Sequence, residues 1–141
     1  MRKRKFWGWG YEDQVLTPTE DQAIASRVIK HFGTAAALPI PEADDIDLIE
    51  PRVFPPSTLE SIVTHDHLER LNHSYGKSFP DLARALLRRF PNPPDLVAFP
   101  ESRKDVVRIL DWANDNSIAV IPYGGGSSVC GGVEADVGHD Y

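Results

Sequence analysis

Ile118-Ala-Val-Ile-Pro-Tyr-Gly-Gly-Gly-Ser-Ser-Val-Cys-Gly-Gly-Val-Glu134 is the stretch on which the reading of this chain turns. Residues 118–121 are apolar and mostly β-branched, which predicts a short buried strand. Pro122 closes it. Gly124, Gly125 and Gly126 follow with Ser127 and Ser128, then Gly131 and Gly132. Glycines in series let the backbone reach positive φ and let a ligand approach with no Cβ in the way. Successive N–H groups in such a turn converge into an anion-binding nest, and serine hydroxyls add donors suited to phosphate oxygens. The segment Pro122–Tyr123–Gly124–Gly125–Gly126–Ser127–Ser128 is therefore the candidate site, with a pyrophosphate as the expected ligand. Two common phosphate motifs do not fit. A GxGxxG fingerprint begun at Gly124 needs glycine where Val129 stands. A Walker loop ending at Gly131 needs Lys and Ser/Thr where Gly132 and Val133 stand. The bland alternative is a glycine-rich surface turn with no ligand.

Working outward, Asp95–Phe99 predicts a strand ended by Pro100, and Ser102 caps a helix to about Asn114 with Asp105 at the capping-box position. Val106, Ile109, Leu110 and Ala113 form its expected inner face. Strand, helix, strand and glycine loop make one βαβ unit with a right-handed crossover. The loop then lies at the carboxyl end of a strand, where open α/β sheets place their ligands. The fold class expected is α/β (α+β). Pro91-Asn-Pro-Pro94 marks a boundary between a helical N-terminal region, 1–91, and a ligand-binding region, 92–141.

Upstream, Thr17-Pro-Thr-Glu20 is a capping box with proline at the first helical position, and Gly33 is the expected stop. Ile24, Val28, Ile29 and Phe32 give this helix an apolar face that must pack on something. Residues 34–56, with five prolines and the acidic run Glu42–Asp47, read as a solvated connection. Ser57-Thr-Leu-Glu60 is a second capping-box pattern, predicting a helix toward Leu71. His65 and His67 diverge on a helix and make a poor zinc pair. His73 precedes Tyr75-Gly-Lys-Ser78, whose glycine suits close backbone packing; the Walker-like Gly-Lys-Ser lacks its earlier glycine, since Leu71 stands there. Phe79–Phe90 predicts a third helix, with Arg84, Arg88 and Arg89 on its wet side.

Composition bounds the function. The chain has 141 residues, 41% hydrophobic and 26% charged, with a net charge of −6. That is globular, and it disfavours nucleic acid as a partner. The single cysteine, Cys130, makes no internal disulfide and suits a reducing, cytoplasmic setting; no activated thiolate is expected there. No apolar run approaches the roughly 18 residues of a membrane span. Met1-Arg-Lys-Arg-Lys5 opens like a signal peptide, but Phe6-Trp-Gly-Trp-Gly-Tyr-Glu-Asp13 follows where an apolar stretch is required. A basic cluster beside two tryptophans could make peripheral contact with an anionic membrane; a solvated terminus is the plainer reading.

The glycine loop resembles the pyrophosphate-binding loop of FAD-linked oxidases of the vanillyl-alcohol oxidase superfamily. Pro93-Pro-Asp-Leu-Val-Ala-Phe-Pro100 and Asp105-Val-Val-Arg-Ile-Leu110 agree with the pattern. Within that superfamily, Trp7-Gly-Trp-Gly-Tyr11, His73-Ser-Tyr-Gly-Lys-Ser78 and the loop itself resemble the alkyldihydroxyacetonephosphate synthase family of ether-lipid synthesis. The resemblance implies a PCMH-type FAD-binding domain, of which this chain carries the beginning. It also implies FAD held by Pro122 through Ser128, with the amides of Gly124–Ser127 at the phosphates. Covalent relatives often carry histidine directly after the glycines; Ser127 stands there, so non-covalent FAD is implied. In that family the flavin takes part in replacing an acyl chain of acyl-dihydroxyacetonephosphate with a fatty alcohol. The chain ends seven residues after Glu134, so the expectation is an incomplete flavin domain, inactive alone and completed by further polypeptide, with no catalytic residue here. The alternatives are part of an FAD-dependent 2-hydroxyacid dehydrogenase, or a non-catalytic remnant that binds another chain.

Overall fold

A computed structural model describes residues 2–136. Helices dominate: α1 (Pro18–Phe32), α2 (His67–Asn72), α3 (Phe79–Leu86) and α4 (Arg103–Asp115). Two short strands, β1 (Val63–Thr64) and β2 (Val97–Ala98), pair antiparallel, with Val63 opposite Ala98 and Thr64 opposite Val97. The class is mixed α and β, as expected.

The ladder is not the one the sequence suggested. Residues 118–121 form no strand, and Val120 is 44% exposed. Its place beside β2 is taken by β1, from the stretch read as the second helix. No strand among the described residues lies beside 118–121, so an apolar run alone could not fix its pairing. In the 57–72 segment, Ser57-Thr-Leu-Glu60 leads only to a short 3₁₀ turn, Glu60–Ile62, before β1. The helix that follows starts later, where the Asp66 side chain accepts from the Glu69 amide. The run Ile62-Val-Thr64 favours extended backbone and overrides the capping signal.

Helix α1 follows its sequence closely. The Thr17 and Glu20 side chains cap each other's amides reciprocally, and Gly33 ends the helix at φ 78°. None of its residues is buried. Its apolar face, with Phe32 78% exposed, is uncovered among the described residues. Helix α3 begins with a capping box of Ser78 and Asp81 and stops short of the expected Phe90. Arg88, at φ 59°, ends it in a Schellman pattern: its amide donates to Ala85 O, and Arg89's to Arg84 O. Glycine usually fills that position, and with Arg88 there no stop signal is legible from the residues. Helix α4 buries Ile109 and Ala113, whereas Val106 and Leu110 are exposed; the buried face is narrower than the periodicity implied.

The core joins distant segments. Phe6, Ile46, Leu71, Tyr75, Ala85 and Phe90 form one buried cluster, with the Tyr75 ring 5.1 Å from Phe90 and the Phe6 ring 6.2 Å from it. Burying Phe6 is worth about 2–3 kcal/mol, which fixes the N-terminal segment to the core while the basic Arg2, Lys3 and Arg4 stay exposed. Residues 3–12 form a hairpin, with Lys5 N donating to Gly10 O and Glu12 N to Lys3 O. Residues 34–56 are likewise anchored, because Pro41 and Ile46 are buried. Arg52 holds Asp95 through two guanidinium bonds, and Arg70 donates to the carbonyls of Ile49 and Pro94. Those bonds and the β1–β2 ladder bind the N-terminal region to the segment after Pro94.

Candidate functional site

The glycine loop is anchored on one side and open on the other. Tyr123 provides the first anchor. Its hydroxyl lies 2.7 Å from Asn72 O and 3.0 Å from Tyr75 O, and its ring centroid is 4.5 Å from that of His73. Burial raises the phenol's pKa, so it stays a neutral donor. Gly126 packs under this ring at φ 69°. A Cβ there would overlap the phenol, with Tyr123 Cζ at 2.9 Å. Left-handed backbone and lack of room both require glycine at 126.

Gly76 and Lys77 provide the second anchor. The Lys77 amide donates to Ser128 O at 2.6 Å. Gly76 lies so close to that carbonyl that an added Cβ would sit against its oxygen, with the carbonyl carbon at 3.0 Å. The glycine after His73 therefore does serve close backbone packing. Above the loop, Arg4 Nη1 donates to Gly125 O at 2.9 Å.

The third anchor holds the downstream end. Arg84 makes two 2.8 Å bonds to the Glu134 carboxylate and one to Asp81, with its guanidinium 4.2 Å over the Tyr75 ring. Arg84 is thus a clamp rather than part of a wet helix face. Burial raises the Tyr75 phenol to about 12. Burial alone would also raise the Asp81 carboxyl, but hydrogen bonds from Ser78 and Arg84 outweigh it and hold it below its ordinary value. Asp81 therefore stabilises the fold above its ordinary pKa of 3.8, and that contribution is lost as pH falls through the lower folded value. Asp81→Asn is expected to flatten the acid limb of a stability–pH curve. Arg84→Met, which leaves the buried Asp81 without its cation, is expected to cost about 2 kcal/mol at pH 7 in denaturant melts.

On the loop's other side the one such contact among the described residues is that from Arg4 to Gly125 O. A Cβ built on Gly124 or Gly125 meets nothing within 4 Å. The amides of Gly124, Gly125, Gly126 and Ser127 donate to no described residue. Pro122 and Ser127 are exposed. Ser128 Oγ lies 3.6 Å from Cys130 Sγ, and that contact holds the exposed thiol's pKa below the ordinary value. The structure thus gathers all seven candidate residues into one loop, with Tyr123 and Ser128 turned to anchoring. It adds Arg4, Gly76, Lys77 and Arg84, which sequence reasoning left out of the site. Only Gly76 carried a signal, as a lone glycine between two helical patterns.

Residues 94–138 match the family model described as FAD binding domain. The alkyldihydroxyacetonephosphate synthase of Dictyostelium discoideum is 39% identical over 69 residues, covering 49% of this chain and 11% of that protein. The mitochondrial D-lactate dehydrogenase [cytochrome] of Arabidopsis thaliana is 37% identical over 73 residues, covering 52% and 12%. A solved structure of alkyldihydroxyacetonephosphate synthase superposes with a TM-score of 0.74 at 26% identity, covering 93% of this chain and 30% of that one. The chain thus spans less than a third of the length of each. Residues 94–138 thus match the FAD binding domain model by sequence, and the chain is similar in fold to alkyldihydroxyacetonephosphate synthase over most of its length.

Proposed function

We propose that residues 122–128 hold the pyrophosphate of a non-covalently bound FAD within an alkyldihydroxyacetonephosphate synthase-like enzyme of ether-lipid synthesis. The observation that carries this is the free donor set. Four successive amides, Gly124 to Ser127, have no described acceptor, on a loop braced from behind by Tyr123, Lys77 and Arg84. Successive amides with no described partner favour an anion, because it supplies acceptors without reordering the loop. The residues fit the group: Gly124 and Gly125 leave open space where Cβ atoms would block the backbone's approach. When bound, FAD supplies the redox chemistry of such an enzyme; this chain's part is to bind and orient it. Serine at position 127, where histidine would provide a covalent link, supports non-covalent attachment.

In this reading, 1–91 is a bracing region and 92–141 the beginning of the flavin domain. Further polypeptide supplies the rest of the flavin site and the groups that act on substrate, a reading supported by the 11% and 30% coverage of the synthases. A cytoplasmic setting rests on the single cysteine; no helix among the described residues is long and apolar enough to cross a membrane. The similarity to D-lactate dehydrogenase favours a second reading, oxidation of a 2-hydroxyacid, which would use the same loop.

Titration of FAD into the chain, alone and with the remainder of the flavin domain, tests the first reading by flavin fluorescence. Saturable binding in the completed protein is expected, with much weaker binding by the chain alone. Absence of binding in both would overturn it. Turnover of acyl-dihydroxyacetonephosphate, rather than of a 2-hydroxyacid, separates the two substrate classes.

A further inference from the structure

The open side of the glycine loop faces the N-terminal hairpin across a cleft of about 380 Å³. Arg4, Lys5 and Lys77 line it together with Trp9, and the loop contributes Gly125 and Ser127. The cleft thus gathers three cations and no carboxylate, in a chain whose net charge is −6. Among the described residues, none of the three makes an ion pair. Arg4 spends one donor on Gly125 O, and the Lys77 ammonium lies 3.2 Å from both Lys5 O and Phe6 O. Lys5 donates to Gln14 O and lies 5.0 Å from the Trp7 ring centroid. A guanidinium has five donors and an ammonium three, so each cation keeps donors to spare. Burial lowers the Lys77 pKa; Asp81 works against that shift, and Arg4 adds to it. Like charges held together beside unpaired amides are stabilised by an anion between them.

We infer that the N-terminal hairpin is part of the cofactor site, and that the cleft takes the pyrophosphate with Lys5, Lys77 and Arg4 opposite the amides of Gly124–Ser127. This rests on the reading of residues 122–128 as the pyrophosphate loop, and adds to it a cationic wall in which Arg4 reaches Gly125 across 121 positions and Lys77 reaches Ser128 across 51. The wall neutralises phosphate charge, while the loop provides directional donors. Both arise from the same fold: Phe6 in the core fixes the hairpin, and the carbonyls of Lys5 and Phe6 tie it to Lys77.

The experiment compares FAD, inorganic pyrophosphate and riboflavin binding by the protein with its flavin domain completed. It uses the parent, Lys5→Gln, Lys5→Arg and Arg4→Gln, at several salt concentrations. Lys5→Gln is expected to weaken FAD and pyrophosphate about tenfold each, to leave riboflavin unchanged, and to flatten the salt dependence of FAD affinity. Lys5→Arg retains binding. A purely structural role would weaken all ligands alike and leave the salt slope intact. Should Lys5→Gln unfold, Arg4→Gln gives the same reading. Parental FAD affinity and salt slope in folded Lys5→Gln and Arg4→Gln would overturn the hairpin's role. If Gly125→Asp still abolished binding, the loop reading would stand. Failure of the parent to bind FAD would remove both.

Discussion

Gly125→Asp is expected to lower FAD affinity about a thousandfold while leaving the fold intact. No atom lies within 4 Å of where its Cβ would sit, and the residue is exposed. The new carboxylate can pair with Arg4, Lys5 or Lys77 across the cleft without displacing any side chain, and it then occupies cations that would otherwise face the phosphate. Against a pyrophosphate about 4 Å away, it adds like-charge repulsion of about 4 kcal/mol at the effective dielectric of a protein surface, nearly three decades in Kd. It also fills the space through which the phosphate approaches the amides. Gly125→Ala keeps the steric part alone and is expected to cost about tenfold. Flavin titration gives the affinity, and thermal melting of the free protein gives the fold. Parental affinity in the Asp variant would mean that the pyrophosphate does not lie against Gly125.

Gly76→Ala is expected to have the opposite profile, a large loss of stability from a site without ligand contacts. Its Cβ would press on the Ser128 carbonyl, which is backbone and cannot rotate away. Relief requires the loop to withdraw, and with it goes the Lys77 N–Ser128 O bond. Overpacking and the lost bond together cost about 2–4 kcal/mol. The glycine loop should loosen as well, so FAD affinity falls in step with stability. Denaturant unfolding monitored by circular dichroism checks the first part, and a titration of the still-folded variant checks the second. A melt indistinguishable from the parent's would show that the loop is not braced at Gly76.

What was legible in the sequence was local. Thr17, Pro18, Glu20 and Gly33 bound α1 correctly, because capping is satisfied within one turn of the chain. Ser102 did the same for α4. The glycine run could be read as a loop because Pro122 and successive glycines break helix and strand locally. Pairing was not legible. The Val63–Thr64 strand was hidden behind the false capping box at Ser57, and 118–121 looked like a strand for want of any sign of its neighbours. Every long-range brace of the loop escaped as well. Arg4, Lys77 and Arg84 act across 121, 51 and 50 positions, respectively, and nothing periodic announces such contacts. Arg84 read as a wet residue because helical spacing tells which residues share a face, and not which distant carboxylate comes to meet it.

The most direct test of the central claim is the amide spectrum of residues 124–127 in the completed protein during titration with FAD, ADP and riboflavin. Glycine amides resonate apart from most others, so Gly124, Gly125 and Gly126 can be followed individually in a nitrogen-15-labelled sample. FAD and ADP, which share the pyrophosphate, are expected to shift these three amides and Ser127 strongly downfield as they gain acceptors, whereas riboflavin leaves them in place. Saturating FAD that moves amides elsewhere and leaves residues 124–127 unshifted would contradict that claim.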